Sequence, residues 1–183
     1  MNVANAITVL RILLIPLLVI FLIENEPRFA FLVFLAAGVS DGLDGFVARV
    51  FKQKTLVGAY LDPIADKLLL NTAFVTMAVL GILPAWLAVV VVSRDVIIVA
   101  GIGVLMLFDR PLQIQPSLVS KATTCLQLCL VGVFLGLQYL PILARLERPL
   151  VYLTAIFTLL SGLHYVTVGF RVLVSQAEPH DNK

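Results

Sequence analysis

Asp41, Asp44, Asp62 and Asp66 stand in segments otherwise apolar enough to enter a bilayer. An uncompensated aspartate at the centre of a membrane helix costs about 2.5–3.5 kcal/mol on insertion scales, so carboxylates in such places mark function. Asp41 and Asp44 are spaced i, i+3 with Ala48 along the same stripe, and Gly58, Asp62 and Asp66 follow i, i+4, i+8. On helices each set occupies one face. Counted outward from the loop near Lys54, Asp44 and Asp62 lie at matching depth, and Asp41 and Asp66 form a second pair one turn deeper. Four carboxylates meeting there repel one another unless neutralised. Two divalent cations balance them formally, and a donor set made only of oxygen favours Mg²⁺, Mn²⁺ or Ca²⁺ over zinc. Gly45 and Gly58 leave room for a phosphate or nucleotide to approach the backbone. Arg49, at the helix end, is suited to clamp phosphate oxygens bidentately. The alternative is a set of internal ion pairs with Lys67, Arg94 and Arg49, but the acids outnumber those partners and share one face.

The elements that must carry these groups follow from composition. The chain has 183 residues, 61% hydrophobic and 13% charged, with a mean hydropathy of +1.06. Soluble domains average about 45–50% apolar and about 25% charged residues. The expectation is an all-α, polytopic integral membrane protein, one domain over residues 1–183 with a polar tail at 175–183. A net charge of +2 is too small to argue for nucleic acid. The first segment lacks the basic start and small-residue cleavage site of a signal peptide and reads as a retained helix. Cys125 and Cys129, one helical turn apart in an apolar run, read as small hydrophobes rather than a metal site or disulfide.

Six stretches approach the roughly 20 apolar residues a crossing needs: 6–23, 29–50, 58–80, 85–108, 119–140 and 150–174. The breaks are Glu24 to Arg28, Lys52 to Thr55, Gly81 to Pro84, Asp109 to Gln115, and Pro141 to Pro149. Six crossings put both termini on one side, where Arg11, Arg49, Lys52, Lys54, Arg110, Lys121, Arg171 and Lys183 gather, against Arg28, Arg145 and Arg148 opposite. By the positive-inside rule, the termini and the acidic hairpin face the cytoplasm. Lys67, Arg94 and Asp95 are left within the span, and Trp86 reads as an interfacial anchor.

The spacing Asp41-x-x-Asp44-Gly45-x-x-Ala48-Arg49, eight residues, Gly58-x-x-x-Asp62-x-x-x-Asp66 resembles the signature of the CDP-alcohol phosphatidyltransferase family without a gap. Eight fixed positions across two helices are a specific signal. The resemblance implies transfer of a phosphatidyl group from CDP-diacylglycerol to the hydroxyl of a small alcohol, with release of CMP. It makes Asp41, Asp44 and Asp62 the main ligands of Mg²⁺ or Mn²⁺, two ions in all, and Asp66 a further ligand or the general base. Asp41, Asp44, Gly45, Ala48, Arg49 and Gly58 would surround the cytidine and pyrophosphate. A homodimer in a bacterial cytoplasmic (inner) membrane, its site facing the cytoplasm, is implied as well. The chemistry suits the residues: in-line displacement at phosphorus needs charge neutralisation, alignment and a base.

The acceptor is read from outside the motif. The N-terminus, with Asn5, Thr8, Arg11 and Pro16, is similar to that of bacterial phosphatidylglycerophosphate synthases, whose acceptor is glycerol 3-phosphate. Arg94, Lys121 and Arg171 are then candidates for binding its phosphate. Ser120, Thr124 and Gln127 lie beside Lys121 in sequence, whereas Asp95 is expected to be poorly placed to pair with Arg94, because adjacent side chains on a helix diverge. The alternative for Lys121 is snorkelling to an interface. The chain departs from the synthase pattern in having Arg94-Asp95 in place of Arg-Glu and Ser120-Lys121 in place of Gly-Lys. Its Ser-Arg-Asp form also resembles CMP-forming cardiolipin synthases, which use phosphatidylglycerol. His164 and Tyr165 read as packing residues. A different class, a divalent-cation or proton-coupled transporter, would also place acids in the membrane. Against it, the acids sit toward one side and no second cluster continues the path.

Overall fold

A computed structural model describes residues 3–50, 56–107, 118–137 and 141–174. For 3–7, 41–50, 56–63, 102, 104–107, 141 and 172–174 it describes the backbone alone. The described residues form six helices and no strand: α1 (Val3–Ile23), α2 (Pro27–Val50), α3 (Leu56–Val79), α4 (Ala85–Leu107), α5 (Leu118–Gly136) and α6 (Ala144–Val174). One 3₁₀ turn, Pro141–Leu143, leads into α6.

Two of the connections are built by the same device. After α1 the Glu26 amide donates to Phe21 O at 2.9 Å and the Asn25 amide to Leu22 O at 3.2 Å. After α3 the Ile82 amide donates to Met77 O at 2.9 Å and the Gly81 amide to Ala78 O at 3.1 Å. Both are Schellman caps, which satisfy the last helical carbonyls and need a left-handed residue just past the end. Asn25 and Gly81 supply it, with φ of +56° and +71°. Pro27 then opens α2 at the one helical position where its missing amide costs nothing. The rings of Phe21 and Phe29, 5.2 Å apart, stack across that first turn.

The last connection is shorter than the prolines at 141 and 149 imply, because α6 begins at Ala144 and includes Pro149. Arg145, Leu146, Glu147 and Arg148 are sound helix formers, and Glu147 in the first turn complements the helix dipole. Pro149 forfeits one hydrogen bond near the start, a loss the helix tolerates better there than in its middle.

The packing partners close a ring, α1–α2–α5–α6–α4–α3 and back to α1, with α3 touching α5 across it. Among the described residues, Ile15, Leu18, Phe34, Phe74, Leu87 and Leu130 belong to a shared apolar core. Large apolar side chains also cover the outside, among them Leu13, Val79, Val99 and Leu163. Meanwhile Thr8, Arg11, Arg94, Asp95, Gln127, Thr158 and Ser161 are buried. Polar groups inside and hydrocarbon outside is the distribution that a lipid solvent demands. By length and composition, α5 from Leu118 to Gly136 and α6 from Ala144 to Arg171 are each apolar enough to cross a membrane.

Candidate active site

The motif residues fall on two helices, as their spacing requires. Asp41, Asp44, Gly45, Ala48 and Arg49 lie in the last turns of α2, and Gly58, Asp62 and Asp66 in the first turns of α3. The helical backbone keeps Asp41 in register with Asp44, and Asp62 in register with Asp66. The side chains of Asp41, Asp44, Ala48, Arg49 and Asp62, and the surroundings of Gly45 and Gly58, lie outside the described residues.

Asp66 is described. Its carboxylate accepts a hydrogen bond from Arg11 Nη1 at 2.7 Å, and the two side chains are 38% and 0% exposed. The contact joins α1 to α3 over a separation of 55 residues. A partly exposed carboxylate, in register with another one turn away, is a hard oxygen donor of the kind that Mg²⁺ and Mn²⁺ take. Oxygen donors alone, as the four aspartates would supply, suit such an ion by type.

Lys67, next along α3, faces a different acid. Its ammonium donates to Asp95 Oδ1. Arg94 Nη1 donates to the same oxygen at 2.7 Å. The expectation that Asp95 is poorly placed for Arg94 is therefore corrected. Adjacent Cβ atoms do diverge, but the long arginine arm folds back because its other nitrogens are held from two further helices. Nη2 donates to Ser120 Oγ on α5 and to Ser161 Oγ on α6, both at 2.7 Å, and Nε donates to Ser161 Oγ at 3.2 Å. The guanidinium carbon lies 5.7 Å from the centroid of the Tyr165 ring, within cation–π range. Gly162 lies beside the arm: a Cβ there would stand 3.5 Å from Arg94 Cγ, an ordinary contact.

Arg94 and Asp95 thus tie four helices together, and both Lys67 and Arg94 place their charge on Asp95. Arg94 is only 3% exposed. Lys121, one residue past the Arg94-bonded Ser120, is exposed and lines an open cavity of about 350 Å³ with Ser120, Thr124, Cys125 and Leu128. Arg171 is exposed near the end of α6. Arg94, Lys121 and Arg171 therefore stand on three helices, with Arg94 enclosed and the other two open.

Sequence reasoning counted Arg11 only as a cytoplasmic-side charge and an N-terminal match. The available signal was a single arginine in an otherwise apolar stretch that also had to cross, since buried charge in a membrane needs a partner. Ser161 and Tyr165 were missed as Arg94 partners, although their i, i+4 spacing puts both on one face of α6.

The model of the CDP-alcohol phosphatidyltransferase family matches residues 1–168. A CDP-diacylglycerol–glycerol-3-phosphate 3-phosphatidyltransferase of Haemophilus influenzae is 35% identical over 176 residues, covering 92% of this chain and 93% of the relative. A cardiolipin synthase (CMP-forming)/mitochondrial hydrolase fusion protein of Schizosaccharomyces pombe is 32% identical over 177 residues, covering 88% of this chain and 30% of the relative. A probable cardiolipin synthase (CMP-forming) of Drosophila melanogaster is 31% identical over 186 residues, covering 91% and 57%. The chain spans nearly all of the bacterial relative, under a third of the fusion protein and somewhat over half of the Drosophila relative. With the family model covering most of the sequence and eight signature positions on α2 and α3, the chain belongs to the CDP-alcohol phosphatidyltransferase family.

Proposed function

We propose that this protein transfers the phosphatidyl group of CDP-diacylglycerol to the hydroxyl of sn-glycerol 3-phosphate and releases CMP. The observation that carries it is the unbroken set Asp41, Asp44, Gly45, Ala48, Arg49, Gly58, Asp62 and Asp66, within a family match over residues 1–168. Asp41, Asp44, Asp62 and Asp66 would hold two Mg²⁺ or Mn²⁺ ions, which when bound neutralise the pyrophosphate charge. Asp41, Asp44, Gly45, Ala48, Arg49 and Gly58 receive the CDP moiety, the small residues by leaving space and Arg49 by hydrogen bonding to phosphate oxygens. Asp66 takes the proton of the acceptor hydroxyl as its oxygen attacks phosphorus. The bond from that phosphorus to the CMP oxygen breaks, so CMP departs with the electron pair.

The acceptor phosphate is met by the cations beyond the motif. Exposed Lys121 and Arg171 make direct contact, and enclosed Arg94 adds its field and holds Ser120 in place beside Lys121. Glycerol 3-phosphate is favoured over phosphatidylglycerol by the near full-length match to the Haemophilus relative. The matches to cardiolipin synthases make phosphatidylglycerol the second acceptor to try. We further propose six crossings, both termini and the acidic hairpin on the cytoplasmic side of a bacterial inner membrane, and a homodimer.

Purified protein in detergent, given CDP-diacylglycerol, Mg²⁺ or Mn²⁺ and each acceptor, should release CMP with glycerol 3-phosphate, the lipid product being identified by mass. Turnover with phosphatidylglycerol alone would reassign the acceptor, and no CMP release with either would reject the transfer.

A further inference from the structure

Arg11 has no part in the transfer set out above, yet it is the largest fully buried side chain in the described residues. Buried Thr8 lies one turn before it on α1, and the core beyond is apolar, with Ile15, Leu18 and Leu22 from α1 and Leu69, Leu70 and Ala73 from α3. Packing alone would be served there by leucine. A guanidinium in a membrane protein is retained where it has a partner, because its desolvation is so costly. The partner is the carboxylate at the deep end of the acidic stripe on α3.

The exposures are unequal in an informative way. Arg11 is wholly enclosed, while Asp66 keeps 38% of its side chain accessible. The arginine therefore holds the carboxylate from the packed side, and the carboxylate stays partly accessible. A charge-assisted hydrogen bond of 2.7 Å, from a donor that packing holds still, removes the freedom of the carboxylate to turn.

We propose that Arg11 is a positioning residue of the reaction, fixing the orientation in which Asp66 meets the metal ions and the acceptor hydroxyl. This rests on the role given to Asp66 above. A loose carboxylate would spend part of its time misaligned, and misplacement by about 1 Å costs on the order of 100-fold in rate.

The test uses full-length protein in detergent or lipid nanodiscs, with Arg11→Gln and Arg11→Lys. For Arg11→Gln we expect kcat to fall by about 30-fold or more, with KM for both substrates within about threefold of wild type. Arg11→Lys should recover about fivefold or more of that loss, since charge and a donor return without the planar fork. Binding of Mn²⁺ alone, followed by electron paramagnetic resonance without lipid substrate, should weaken by about threefold or more in Arg11→Gln. In an Asp66→Asn background the same change should leave Mn²⁺ binding where Asp66→Asn left it, because two residues acting as a unit do not add. If Arg11→Gln yields no folded protein, Arg11→Lys decides: a reduced kcat at unchanged KM and unchanged melting supports the role, and wild-type kcat overturns it. It is overturned too by unchanged kcat in folded Arg11→Gln, or by Mn²⁺ losses that multiply in the double variant. Absence of CMP release from wild type would defeat the transfer itself, a different outcome from an active wild type indifferent to Arg11.

Discussion

Asp66 serves two masters, and substitutions at this position have to be read with that in mind. Asn keeps an oxygen that still accepts from Arg11, whereas Ala removes that acceptor from the buried guanidinium. Removing an acceptor from a buried donor costs about 1–3 kcal/mol, and the partial exposure of Asp66 moves the figure toward the lower end. We therefore expect both variants to lose CMP release by about 100-fold or more, but Asp66→Ala alone to lower the melting temperature clearly in a detergent thermal scan. Equal melting of the two would argue against the Arg11 contact. Asp95 is the sharper case, because two cations converge on its Oδ1. Truncation to Ala leaves both without it, and breaking a buried pair costs about 3–5 kcal/mol. Asp95→Ala is expected to be poorly recovered as folded protein in size-exclusion chromatography, with Asp95→Glu partly restoring it.

At the level of helices, the turns decide where each span stops. Gly81 and Asn25 both sit in left-handed conformation at the ends of α3 and α1. A Cβ added at Gly81 meets nothing within 4 Å, so the cost of Gly81→Ala is conformational and not steric. A left-handed non-glycine residue costs about 1–2 kcal/mol, which for a chain of this size lowers the melting temperature by roughly 2–8 °C. Asn25→Gly should be neutral or slightly stabilising, because asparagine already carries part of that strain. Thermal scans should therefore show a loss for Gly81→Ala and none for Asn25→Gly, and equal destabilisation would mean that the caps do not control these ends. The positions of α1 to α4 were legible within a few residues because turn chemistry punctuates the apolar runs at Glu24 to Arg28 and at Gly81 to Pro84. The start of α6 was not, since Pro149 reads as a breaker while the formers before it decide for helix.

For the whole molecule, the claims concern solvent and charge. An apolar exterior over a ring of helices that encloses arginine, aspartate, glutamine and serine suits lipid on the outside. Reporters fused to either end are expected to register the cytoplasmic side, and a reporter at Asn25 the opposite side. Opposed signals from the two ends would refute the six-span arrangement. Removing divalent cations with a chelator should abolish CMP release, and Mg²⁺ or Mn²⁺ should restore it, if the four aspartates hold the ions as proposed. Activity that survives the chelator would remove the ions from the proposal.

What the amino-acid order determined by itself was local: residues three or four apart must share a helix face. That placed Asp41 with Asp44, and Asp62 with Asp66, and hydropathy drew the helices that carry them. The family signature was legible for the same reason, being written as spacing on two consecutive helices. Contacts between distant segments were not legible, because no periodicity says which helix lies beside which. Only the tertiary structure set Arg11 against Asp66, sent Lys67 and Arg94 to one carboxylate, and closed α4, α5 and α6 around the guanidinium. Those choices follow from the need to give every charge taken out of water a partner, and packing alone decides which partner is within reach.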